Sequence, residues 1–150
     1  SVKQYLNGKF THVGASWLTK ENTAKDMENV IANFDAIITK ESIPDSCHFI
    51  AMGFSQGVSV ATRWLARRML PCKTLIIYAG KVPREFTPAD FKQVERVALL
   101  IGDKDPYITE EIIAAEKAYL ATLFKDKITF TVFNGKHEVH LELLLDILNN

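Results

Sequence analysis

Gly53-Phe54-Ser55-Gln56-Gly57 stands between an apolar stretch, Cys47-His48-Phe49-Ile50-Ala51-Met52, and an amphipathic run from Val58 to Leu70. The first flank reads as a buried strand and the second as a helix. A serine with glycine two residues to either side, at a strand-to-helix junction, calls for a turn tight enough to strain the serine's backbone. Side chains at the two flanking positions would meet the neighbouring chain, and glycine removes them. Such a turn lifts the hydroxyl clear of the strand's C-terminal end. It also sets the hydroxyl before a helix N-terminus, whose backbone N–H groups favour developing negative charge. At average glycine usage of about 7%, the pattern arises by chance in roughly one chain of this length in twenty. The competing reading is a plain glycine turn with Ser55 capping the helix. What lies downstream separates the two.

A nucleophilic serine needs a base, and the base needs an orienting carboxylate. Val97-Ala98-Leu99-Leu100-Ile101 is an uninterrupted apolar run that reads as a buried strand. It ends at Gly102-Asp103-Lys104-Asp105-Pro106, where the proline disfavours an α conformation at Asp105. Ile128 to Phe133 reads as another strand, followed by Asn134-Gly135-Lys136-His137. Serine, carboxylate and histidine thus follow in that order, each just past a strand's C-terminal end, where open α/β sheets gather their sites. Asp103 and Asp105 both qualify as the carboxylate.

The rest of the chain alternates strand and helix. Strands are expected at 48–54, 74–79, 97–101 and 127–133. Asn22 or Thr23 caps a helix with Met27, Val30, Ile31, Phe34, Ile37 and Ile38 on one face, a stripe suited to packing on a sheet. Thr109 caps a second helix through Phe124, with Ile112, Ile113, Ala115, Tyr119 and Leu123 expected inward. A third helix, from about Glu138 to Leu148, closes the chain. This order predicts a single α/β domain, a mostly parallel sheet with helices on both faces in three layers. Repeats, linkers and low-complexity stretches are absent from the sequence.

GFSQG, GDKDPYI and FNGKHEVH together resemble the phospholipase/carboxylesterase branch of the α/β-hydrolases, which includes the acyl-protein thioesterases. That family shows G-F-S-Q-G-G at the serine, G-x-x-D-x-x-V at the acid loop and G-H-E at the histidine. The resemblance runs from Trp17 to the C-terminus. It implies Ser55 as nucleophile, Asp105 as acid with Ile108 in the valine position, and His137 as base. Asp103 is then a loop residue or turn cap. It further implies the Gln56 N–H as one oxyanion donor, and Trp17 near a tryptophan often found at the pocket mouth. Phe54 and Tyr107, beside the serine and the acid, are expected to line a substrate pocket. The implied reaction is hydrolysis of a small-molecule carboxylic ester, with lysophospholipids or acyl-thioesters as variants and no cofactor. Two departures stand out: Val58 replaces the second glycine, and Lys136 precedes the histidine.

The family also carries strands upstream and a His-Gly loop that supplies the second oxyanion donor. Ser1 to Leu18 has no such loop after an apolar strand, and His12-Val13-Gly14 matches it only by coincidence. With four strands alone, the apolar strand before Ser55 would be an edge without a lysine or proline to blunt it. The chain is therefore expected to lack an N-terminal part of a longer protein.

Lysine plus arginine equals aspartate plus glutamate at 18 each, so no global field favours nucleic acid or an anionic membrane. Hydrophobic residues make up 47% and charged residues 24%, as in a folded cytoplasmic domain. Arg63, Arg67 and Arg68 read as the solvated face of their helix. Cys47 and Cys72 read as free thiols, although their positions at strand starts allow a disulfide. His137 and His140 with Glu138 and Glu142 read as scattered loop charges rather than a metal site. No run of eighteen apolar residues marks a membrane span. Two other readings remain: a dienelactone hydrolase or peptidase chemistry, the former disfavoured by serine in place of cysteine, and a non-catalytic binding module.

Overall fold

The computed structural model describes residues 17–19, 21–41, 43, 44 and 47–149; His12-Val13-Gly14 lies outside them. The described chain falls into two units, one up to Cys47 and one from His48 onward. In the N-terminal unit α1 spans Thr23–Glu41. Asp26, in its first turn, accepts from the Thr19 N–H at 2.8 Å and so ties down the entering chain. Met27 and Ile31 are buried, and Ile37, expected on the same stripe, is exposed.

The second unit runs β1 (Ile50–Phe54), α2 (Gln56–Arg68), β2 (Cys72–Tyr78), β3 (Val94–Gly102), α3 (Glu110–Phe124), β4 (Ile128–Phe133) and α4 (Leu141–Asn149). All three pairings are parallel, in the order β1-β2-β3-β4. The inner strands are apolar almost throughout, as a parallel sheet covered on both faces requires. Met52, Thr74 and Arg96 belong to one face: Thr74 pairs with Arg96, and Met52 with Ile76, two residues beyond Thr74. Here α4 is tied down, because the Arg96 guanidinium donates to the Ile147 carbonyl at 2.8 Å and to the Thr74 hydroxyl at 3.1 Å. The opposite face carries α2 and α3. A Cβ on Gly53 would lie 2.5 Å from the Val58 Cα, and Lys117 Nζ on α3 stands 5.9 Å from the centre of the Phe130 ring. Helix, sheet and helix make three layers, as expected from the alternation of strand and helix along the chain.

Three expectations need correction. α4 begins at Leu141 rather than Glu138, because residues 138–140 remain in the loop and the His140 N–H donates to the Tyr78 hydroxyl at 2.6 Å. On α3 the inward residue is Glu116, 1% exposed, and Ala115 is exposed. Glu116, Leu120 and Leu123 recur at helical spacing on one face, and the buried carboxylate is satisfied by partners in the β2–β3 connection. Arg63 is not simply solvated, since its guanidinium forks onto both oxygens of Glu85 at 2.8 and 2.9 Å. Cys47 and Cys72 are both free, one exposed and one buried.

Candidate active site

Ser55 sits between β1 and α2 at φ 53° and ψ −122°, a conformation that L-residues rarely adopt. The strain is held in place from β2. The Ser55 N–H donates to the Tyr78 carbonyl at 2.9 Å, and one strand further the Ala79 N–H donates to the Leu100 carbonyl at 2.9 Å. The two glycines of the turn do not share the work. Gly53 is irreplaceable by contact with Val58 and Gly57 backbone, whereas a Cβ on Gly57 would meet no described atom within 4 Å. The second close approach is instead at Gly80, where a Cβ would fall 2.4 Å from the Ser55 carbonyl oxygen and 2.6 Å from Val58 Cγ2. Val58, in the family's glycine position, is thus packed against a compensating glycine beyond β2. Alternation of small and large residues across strands carries no sequence signal for that pair.

Asp105 and His137 come together beyond β3 and β4. Asp105 Oδ2 lies 2.7 Å from His137 Nδ1, with the carboxylate side chain fully buried and the imidazole side chain 20% exposed. The other oxygen, Oδ1, accepts from the Tyr107 N–H at 2.8 Å. A carboxylate accepts at both oxygens, so this geometry suits the tautomer that carries its proton on Nδ1. Asp103 has a different task. Exposed, it accepts from the Gly135 N–H at 3.1 Å, while its own N–H donates to the Phe133 carbonyl at 2.8 Å. It thereby ties the acid loop to the histidine loop. Gly102 permits that approach, since a Cβ there would lie 2.4 Å from the Gly135 carbonyl oxygen.

The imidazole is gripped by two rings. Phe54 lies 4.9 Å from it, centre to centre, and Tyr107 lies 5.0 Å away, edge to face. Phe54 in turn packs on Tyr78 at 5.8 Å. Tyr78 is fully buried, and its pKa is pushed up chiefly by desolvation. Through the His140 N–H it anchors the far side of the histidine loop, a role that an apolar strand end does not announce. Trp17 belongs to the N-terminal unit, where its ring lies 5.9 Å from Phe34.

Ser55 and His137 share one cavity of about 230 Å³, completed by Gln56, Ser59, Ala79, Gly80, Lys81, Tyr107 and Ile108. Tyr107 borders it and is 72% exposed. Ser59, one turn into α2, takes a hydrogen bond from the Arg63 guanidinium. Gln56 opens α2, so its N–H lies at the helix's positive end. Among the described residues, no group of three or more His, Cys, Asp or Glu side chains could hold a metal ion, and no helix is long and apolar enough to cross a membrane.

Solved structures with this arrangement include an acyl-protein thioesterase 2 from Zea mays, 15% identical, with a TM-score of 0.64 over 91% of this chain and 71% of that one. A phospholipase/carboxylesterase from Dyadobacter fermentans is 18% identical, with a TM-score of 0.60 over 91% and 69%. A Bacillus cereus carboxylesterase is 16% identical, with a TM-score of 0.61 over 90% and 63%. Among curated proteins none matches. The phospholipase/carboxylesterase family model matches residues 13–149, spanning both units. On that match the chain belongs to the phospholipase/carboxylesterase family, carboxylic ester hydrolases of the α/β-hydrolase fold.

Proposed function

We propose that the chain hydrolyses small-molecule carboxylic esters through an acyl-enzyme on Ser55, with His137 and Asp105 completing a triad. The observation that carries this reading is the 2.7 Å pairing of Asp105 with His137 Nδ1 beside the cavity that holds Ser55. Ser55 Oγ attacks the ester carbonyl as His137 Nε2 takes its proton. Asp105 holds the imidazole in the required tautomer and stabilises its cation. The Gln56 N–H donates to the oxyanion, a contact worth about 2.7–4 kcal/mol in the transition state. The imidazolium then protonates the departing alkoxide or thiolate, and water repeats the cycle to release the acid. Tyr107 borders the acyl or leaving group, and Phe54 backs the histidine.

Labelling by a fluorophosphonate, read by intact mass, tests the nucleophile. One adduct is expected on the protein and none on Ser55→Ala, together with loss of p-nitrophenyl butyrate hydrolysis in the variant. Hydrolysis that survives Ser55→Ala would refute the assignment, and a preference for amides over esters would refute the reaction class.

A further inference from the structure

Nine of the described residues line the Ser55 cavity, and none of these carries a carboxylate. Besides His137, one of them carries a basic group: Lys81, exposed in the connection after β2. Three cations on neighbouring segments are already engaged, and Lys136, exposed beside His137, does not line the cavity. Arg63 is paired with Glu85, Arg84 with Glu116 at 2.6 Å, and Lys104 donates to the Asn134 side chain at 2.8 Å. Among the described residues, Lys81 has neither an ion pair nor a side-chain hydrogen bond.

The backbone that carries Lys81 is pinned on both sides. Before it, Gly80 is pressed against the Ser55 carbonyl. After it, the Val82 N–H donates to Glu116 Oε1 at 2.8 Å, and the same buried carboxylate holds Arg84 through Oε2. The Tyr119 hydroxyl donates to the Pro83 carbonyl at 2.9 Å, and the Arg84 guanidinium lies 4.1 Å from the centre of the Tyr119 ring. A buried carboxylate spent on a loop's backbone N–H and its arginine fixes where that loop stands. The result is an exposed ammonium on a fixed base, beside a cavity lined also by Ala79, Ile108 and Tyr107.

We infer that Lys81 selects esters bearing a carboxylate or phosphate within a lysine's reach of the scissile carbonyl. This rests on the ester-hydrolase reading of the same site. The ammonium is a point charge that serves either anion, and the anion can sit in the acyl part or in the leaving group. Nothing in the covalent chemistry changes: the acyl–oxygen bond is broken as before, and Lys81 acts only on binding and orientation.

The test compares kcat/KM for charged and neutral partners in two arms. One sets mono-p-nitrophenyl adipate against p-nitrophenyl hexanoate, and the other sets butyryl glycerol phosphate against monobutyrin. In Lys81→Met the charged-to-neutral ratio is expected to fall about tenfold in the arm that places the anion within reach, the lower range for a hydrogen bond to a charged group. Lys81→Arg retains the ratio, Lys81→Glu lowers it further, and added salt lowers it in the parent protein alone. Ratios unchanged in both arms, with fluorophosphonate still taken up at Ser55, overturn the inference and leave the hydrolase reading standing. No turnover in either arm together with no uptake overturns both.

Discussion

Tyr78 is the residue through which the strand end governs the chemistry. Its ring supports Phe54, which faces the His137 imidazole, and its hydroxyl accepts the His140 N–H, three residues beyond that imidazole. Tyr78→Phe keeps the ring and removes the anchor. A hydrogen bond of this kind contributes about 0.5–1.5 kcal/mol to stability. The variant is therefore expected to fold, with its unfolding free energy from urea titration lowered by that amount. Its kcat should fall about tenfold, the effect of an imidazole a fraction of an ångström out of place, while KM changes little. Steady-state kinetics with p-nitrophenyl butyrate separate the two parameters. A kcat equal to that of the parent, with the stability loss present, would reduce Tyr78 to a packing role.

At the scale of the element, the turn between β1 and α2 depends on glycine at unequal strengths. A Cβ on Gly53 would fall within 2.7 Å of three backbone atoms of Gly57 and Val58, none of which can give way without parting helix from strand. Gly53→Ala is expected to cost more than the roughly 1–3 kcal/mol of ordinary overpacking and to abolish fluorophosphonate uptake. Gly57, the second residue of α2, has open space around it among the described residues. Gly57→Ala is expected to gain about 0.4–1 kcal/mol by restricting the unfolded chain and to retain uptake. Urea titration of the two variants decides, and a Gly57→Ala loss as large as that of Gly53→Ala would show that the position meets a contact of its own.

For the whole molecule, the alkaline limit of stability follows from three groups. Burial is the leading cause that raises the Cys72 thiol above its ordinary 9.0, and the Tyr78 and Tyr119 phenols above their ordinary 10.0. Each group stays protonated in the fold at a pH where the unfolded chain has released its proton. The unfolded state then binds fewer protons, so stability falls as pH rises. All three contributions are intact below pH 9.0 and are lost upward from 9.0 for the thiol and from 10.0 for the phenols. The urea midpoint should hold between pH 7 and 8.5 and drop by pH 10.5, and Tyr119→Phe should drop less steeply. A midpoint that stays level to pH 10.5 would contradict this.

Much of the fold was legible because the signals are local. The apolar runs ending at Phe54, Ile101 and Phe133 had to be strands, and Gly102 closes the second of them. Order along the chain placed Ser55, Asp105 and His137 past strand ends, and the resemblance separated Asp105 from Asp103. What stayed hidden depends on which segments meet. That Gly80 rather than Gly57 answers Val58, that Glu116 rather than Ala115 points inward, and that Tyr78 holds the histidine loop are matters of contact between residues 22 to 62 positions apart. Periodicity and turn chemistry are properties of a few consecutive residues, so the sequence by itself determined the elements and the ends at which chemistry gathers. Close packing is a property of surfaces brought together from afar, and only the tertiary structure decided what grips the imidazole ring and which lysine stands at the cavity.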